Sequence, residues 1–251
     1  GAMAMDIGAF TPFFHAFRER ESINDIMEKT CGARLTMNYM VPGGVMQELH
    51  PDFEKEVKAF ITLFKSKVHE YDEMLTDNII FKNRMKGVGI LSKEDAISFG
   101  CTGPTGRGSG VSCDIRKLYP YDAYHKVQFD EIIETDGDSL ARYMVRIKEL
   151  HQSIHIIEQL IDNIPEGDFQ AKTKAVLKLP KGEFYQRVET ARGEFGVYIV
   201  SEGGMTPYRI KFRSPGFSNL SALDHMARGG KLGDLVAMMG TLDLVIPDID
   251  R

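Results

Sequence analysis

The sequence lacks a CxxC pair, any apolar run near the ~20 residues that a membrane helix requires, and any stripe of basic residues. Each absence excludes a class of protein. Cys31, Cys101 and Cys113 lie far apart, so there is neither a disulfide framework nor a self-contained zinc or iron–sulfur site, and any metal chemistry has to come from a partner. The net charge of −5 is spread over interspersed acids and bases, which leaves nothing to grip a phosphate backbone or an anionic membrane surface. The start has no charged segment followed by an apolar one, and the chain holds no internal repeat and no low-complexity tract. It reads as a soluble or peripheral cytoplasmic protein. Its 251 residues, 43% hydrophobic and 27% charged, suffice for one large domain or two small ones. Gly1-Ala2-Met3 has the composition of a tag remnant and also merges with the helical residues after it, so it carries no weight.

What is present is mostly helical. Met5 to Met27 reads as a helix with Phe10, Phe13, Phe14 and Phe17 clustered ahead of a charged run; Pro12 implies either a start capped by Thr11 or a kink. From Asp52 to Leu75, the apolar residues Phe53, Val57, Phe60, Ile61, Phe64, Val68 and Tyr71 recur at three- and four-residue spacing, the pattern of an amphipathic helix. A second long helix runs from Asp138 or Ser139 to Pro165 through Leu140, Met144, Ile147, Leu150, Ile154, Ile157 and Ile161. Between them, Val88 to Leu91 is expected to form a short strand, and Ser92 with Asp95 to cap a helix ending at Gly100. Residues 166–186, with Lys, Pro and Gly, suggest a surface excursion. Phe195–Val200 and Tyr208–Phe212 around Gly203-Gly204 suggest a β-hairpin. Two short helices near 218–228 and 231–240 precede an apolar tail whose acids alternate with apolar residues, as in a docking strand or a cavity lining. The expected architecture is a single domain over residues 1–251, mainly α with a small β component.

Three groups of residues invite chemistry. Gly103-Pro104-Thr105-Gly106-Arg107-Gly108-Ser109-Gly110 has the look of a phosphate loop, but no Lys-Ser/Thr follows its last glycine, and a helix precedes it where the dinucleotide fingerprint needs a strand. A structural turn is the better reading. His151, His155 and Glu158 fall at i, i+4 and i+7, so one helix face presents three metal ligands; a closed zinc site needs a fourth, and an interface face explains the same pattern. Asp6 is a lone carboxylate among small and apolar residues, either an exposed helix-end acid or one that finds a cation or handles protons.

Beyond this point the residues match a known family. Asp6-Ile7-Gly8-Ala9, Phe17-Arg18-Glu19-Arg20-Glu21, Gly32-Ala33-Arg34, Pro42-Gly43-Gly44-Val45, Gly103 through Arg116 with Pro120-Tyr121, and Gly216-Phe217 closely resemble the large quinone-site subunit (D type) of complex I, and Asp250-Arg251 resembles that family's C-terminal ending. The similarity spans essentially the whole chain. It implies a helical fold like that of the nickel–iron hydrogenase large subunit with its N-terminal part missing, and no nickel, since the CxxC pairs that hold it there are absent.

The resemblance further implies a subunit of a proton-translocating NADH:quinone oxidoreductase, peripheral on the cytoplasmic side of a bacterial inner membrane. Its partner carries a [4Fe-4S] cluster, and quinone is reduced between the two. The head-group His and Tyr of the family belong to a region that would precede Gly1, so the isolated chain is expected to be inactive. Asp6 matches the acid that supports that histidine, and Val245 and Ile246 match positions lining the cavity. Asp250 and Arg251 are expected to anchor the tail by charge pairing. Thr36 stands where many members place a histidine near the cluster, which favours menaquinone as the acceptor. An equivalent subunit of a coenzyme F420- or ferredoxin-fed quinone reductase, or a non-redox assembly scaffold, is the alternative.

Overall fold

The computed structural model describes residues 1–174 and 176–250. Elements in chain order are α1 (Ala2–Asp6), α2 (Phe10–Cys31), the hairpin β1–β2 (Met40–Val41, Gly44–Val45), α3 (Phe53–Tyr71), α4 (Ile79–Met85), α5 (Lys93–Ser98), α6 (Gly103–Arg107), α7 (Ile115–Leu118) and α8 (Ser139–Ile161). A three-stranded antiparallel sheet follows, β3 (Gly182–Thr190), β4 (Gly193–Ser201) and β5 (Arg209–Arg213), and the chain ends in α9 (Pro215–Ser221), α10 (Leu223–Ala227), α11 (Leu232–Leu242) and α12 (Ile246–Ile249). The protein is thus mainly α with a small β part. None of its helices, among the described residues, is long and apolar enough to cross a membrane.

The two long helices form where periodicity places them. α3 and α8 pack along the stripe Ile61, Val68 and Ile154, with Phe60, Phe64 and Leu150 beside it. α8 starts at Asp138 because its carboxylate accepts the Ala141 amide at 2.8 Å, while its second oxygen accepts the Gly87 amide at 2.7 Å. A second cluster joins Ala4, Leu75, Phe81, Met85, Tyr143 and Ala237, and a third joins Leu91, Ala96, Cys101, Met226, Met238 and Leu242. Burial pushes the Cys101 thiol up to about 11, so it behaves as a small hydrophobe.

Several local expectations need correction. α2 begins at Phe10 with Ala9 as its N-cap, and Pro12 lies in its first turn, where its missing N–H has no intrahelical role, so Thr11 is not the cap. Val88 to Leu91 is not a strand: Gly87 and Gly89 have φ of +71° and +62°, and the Leu91 amide bonds instead to the Gly137 carbonyl at 2.9 Å. The excursion gives way at Gly182 to β3, which pairs with β4 over its whole length. The tail is a short helix rather than a strand.

The sheet is oriented unusually. In its register Phe184, Ile199 and Ile210 form one row and Val197 and Phe212 the next, with Phe184, Ile210 and Phe212 exposed. Its polar face, with Arg187, Glu189, Glu194 and Arg213, turns toward the helical body, where Arg213 donates to Thr102 Oγ1 at 3.0 Å. At the centre, Arg142 is 0% exposed and joins three elements: Nε donates to Thr241 Oγ1 (3.1 Å), Nη1 to the Gly137 carbonyl (2.9 Å), and Nη2 to the Gly89 carbonyl and Ser139 Oγ (both 3.0 Å).

Candidate functional site

The four residues singled out by resemblance fall in two places. Asp6 ends α1, exposed, and α1 packs on α11 so closely that a Cβ built at Gly240 would lie 3.1 Å from the Asp6 carboxylate. The chain leaves α11 at Leu242 and reaches Val245 five residues after Gly240, which bounds the separation of Val245 from Gly240 at about 18 Å. Val245 is half-buried as the N-cap of α12, and Ile246 is 70% exposed. The surface near this end is apolar, with Val236 and Met239 exposed on α11 and Phe217 on α9.

The tail is tied down at Asp243 and Asp248. Arg192, in the β3–β4 turn, donates from Nε to the Asp243 carbonyl (2.9 Å), and Asp248 accepts Ser214 Oγ (2.8 Å) and the Gly216 amide (3.2 Å). Arg251 lies outside the described residues. Thr36 sits apart on the exposed loop after α2, with φ +52°, a left-handed conformation that a β-branched residue seldom adopts.

Gly103 to Ser109 is buried rather than open to a ligand. Gly103 has φ +64°, and a Cβ there would come within 2.5 Å of Gly193 Cα and closer still to the Arg192 carbonyl oxygen, so this glycine lets two backbones touch. Its turn delivers Arg107, 2% exposed, to the centre of an ionic cluster. Arg107 Nη2 meets Glu149 Oε1 at 2.6 Å and Nη1 meets Glu189 Oε1 at 2.9 Å; Glu189 Oε2 also accepts the Ile115 amide at 3.2 Å. Burial opposes the charge on Arg107, but the two glutamates outweigh it and hold its pKa above the usual value. Beside it, Asp114 stays below the usual carboxylate range: burial pushes it up, and the Nε and Nη2 bonds from Arg116 at 2.9 and 2.6 Å pull it down further.

Sequence reading passed over Glu149, Glu189 and Arg192, took Asp243 only as one of the tail's alternating acids, and treated Arg107 as part of a turn. Arg107 and Glu189 are 82 residues apart, and no motif spacing links them. The one available signal was the presence of charged residues within apolar or glycine-rich stretches. The His151, His155, Glu158 face is exposed, and Glu158 is paired with Lys65 at 2.6 Å; among the described residues no three His, Cys, Asp or Glu side chains converge on a metal position.

A family model described as the 49 kDa subunit of respiratory-chain NADH dehydrogenase matches residues 6–179 and 169–251. Among curated relatives, the C/D-type NADH-quinone oxidoreductase subunit of Bacteroides thetaiotaomicron is 56% identical over 250 residues, covering 100% of this chain and 47% of its own. A D-type NADH-quinone oxidoreductase subunit of Solibacter usitatus is 48% identical over 251 residues, covering 100% and 68%, and the D-type protein of Desulfotalea psychrophila is 44% identical, also covering 100% and 68%. The chain therefore spans about half the length of the C/D-type relatives it matches.

Proposed function

Because the chain belongs to the family of the 49 kDa subunit of respiratory-chain NADH dehydrogenase, we propose that it forms part of the quinone-reducing site of an NADH:quinone oxidoreductase. What carries this reading beyond membership is the placement of Asp6. An exposed carboxylate rests on α11 at the end from which the Val245–Ile246 tail emerges, beside apolar surface. That is half of a site for an amphipathic ligand: apolar walls for a ring and tail, and one acid at the edge to orient or charge a proton-donating group on the facing half. A hydrogenase-type helical framework, with residues 1–251 as one domain of it, is consistent with the mainly helical architecture.

In this reading the electrons come from a [4Fe-4S] cluster held by a partner subunit, and the assembly sits peripherally on the cytoplasmic face of the membrane. Within the intact oxidoreductase, Asp6→Asn slows quinone reduction by roughly tenfold or more while electron transfer from NADH to the clusters stays near its normal rate. Stopped-flow reduction of the clusters beside steady-state quinone turnover separates the two. Equal loss of both, or loss of assembly, would give Asp6 a structural role only. The NADH-fed assignment is favoured over a coenzyme F420- or ferredoxin-fed one by the relatives, which are described as NADH-quinone oxidoreductase subunits.

Thr36, exposed on its loop, supports menaquinone as the acceptor. A histidine beside a cluster takes up a proton as the cluster is reduced, so the potential falls by about 59 mV per pH unit for a one-electron couple; threonine cannot titrate in this range. The partner's terminal cluster is expected to show a low, nearly pH-independent potential, and Thr36→His to introduce the slope. Redox titration at several pH values, followed by electron paramagnetic resonance, measures both; a steep slope in the unmodified complex would refute the assignment.

A further inference from the structure

Beside the Arg107 cluster lies a cavity of about 420 Å³ whose lining includes none of Asp6, Thr36, Val245 and Ile246. Its inner wall is made by Arg107, Arg146, Glu149 and Glu189, and Asp243 closes it on the tail side. Its mouth is formed by Ser153, Thr190 and Ala191, all exposed. Two guanidinium nitrogens within this wall, Arg107 Nε and Arg146 Nη2, are buried and lack a hydrogen-bond partner. Buried donors are almost always satisfied, and a polar cavity of this size holds several waters, so water is the partner that fits.

We propose that this chamber is a hydrated proton reservoir, in which Glu149 and Glu189 hold a proton taken from solvent at the Ser153 mouth and release it through water toward Asp243 and the tail. The inference rests on the quinone-site reading above, since quinone reduced by two electrons takes up two protons. Uptake converts a carboxylate and hydronium to a carboxylic acid and water; release is the reverse, so the chamber returns to its starting charge after each proton passes.

Cations and acids in the chamber are matched in number, so a proton is held where burial outweighs the pull of the cations. Three cations line the chamber, Arg107 from α6, Arg116 from α7 and Arg146 from α8, against Glu149 from α8, Glu189 from β3 and Asp243 after α11. Asp114, bonded to Arg116, lies behind this wall; Tyr121, whose hydroxyl accepts the Glu189 amide at 3.1 Å, and Tyr124 flank it, and Arg192 faces Asp243. Burial pushes the Glu189 carboxyl above its usual range against the pull of Arg107, and pulls the Arg146 guanidinium down against Asp243 and Glu149. The shift at Glu189 eases protonation of that acid.

The test is Glu149→Gln in the intact oxidoreductase, with Glu149→Asp as the conservative control. The expected result is a loss of quinone reduction of roughly tenfold or more above neutral pH, restored in good part by Glu149→Asp, together with loss of one buried carboxylic-acid C=O band in infrared titration in H2O and D2O. An assembled Glu149→Gln complex with an unchanged pH–rate profile and an unchanged band overturns the reservoir. Should that variant fail to assemble, Ser153→Phe, at an exposed helix position, decides: narrowed entry must slow quinone reduction and proton uptake together, and no change in either refutes the proposal. An unmodified complex unable to reduce quinone would instead overturn the quinone-site reading itself.

Discussion

Arg142→Ala lowers the unfolding free energy by about 3–5 kcal/mol, because it opens a cavity at the centre of the molecule and strands several oxygen acceptors at once. Among the described residues the guanidinium bonds no carboxylate; its donors go to Gly89, Gly137, Ser139 and Thr241, so it closes the start of α8, the loop before α5 and the end of α11 around one group. Burial pushes its pKa down to about 10, which still leaves it charged at neutral pH. Against a total stability of about 5–15 kcal/mol, the loss leaves little margin. A fall in melting temperature of about 10 °C in a thermal scan is the expected outcome, and a drop under about 2 °C would show that the carbonyls find other donors. Arg142→Lys keeps the charge but not the fork, and recovers only part of the loss.

Gly103→Val is the second severe change. The left-handed φ costs about 1–2 kcal/mol for a residue with a Cβ, and the larger penalty is steric. The new atom enters the space of the Arg192 carbonyl and Gly193 Cα, which are backbone and have no rotamer to yield. The β3–β4 turn would have to lift from α6, separating Glu189 from Arg107 and Arg192 from the tail. A destabilisation of at least about 3 kcal/mol is expected, and loss of protection at the amides of Glu194 and Val197 in hydrogen exchange should localise it to the turn. Uniform exchange across the sheet, unchanged from the parent, would mean that the turn accommodates the side chain.

The parts of this fold that sequence exposes are those governed by local rules. α3 and α8 follow from the spacing of their apolar residues, and the Ser92 and Asp138 caps from hydroxyl and carboxylate chemistry at helix starts. The hairpin around Gly203-Gly204 follows from alternation and a turn. β3 escaped because its alternation, Phe184, Gln186 and Val188 against Glu183, Tyr185 and Arg187, puts polar residues on the side facing the body, inverting the usual pattern. Val88–Leu91 misled because β-branched composition cannot outvote two glycines at positive φ. The Arg107 cluster and Arg142 depend on contacts across many tens of residues, and nothing in their immediate neighbours announces them.

The outward apolar rows of the sheet bear on the chain's behaviour as a solute. β5 has a strand neighbour on one side only, and beside its free edge lie Ile210 and Phe212, both exposed. Two free copies can therefore meet edge to edge, and loss of such copies would follow second-order kinetics, slow when dilute and abrupt when concentrated. Arg209 and Lys211 on the same strand put like charges along that edge and raise the barrier to encounter. Their repulsion reaches only about 10 Å at 0.1 M salt, so rising ionic strength shortens the lifetime of the free chain even though it leaves the buried Arg107 pairs almost untouched.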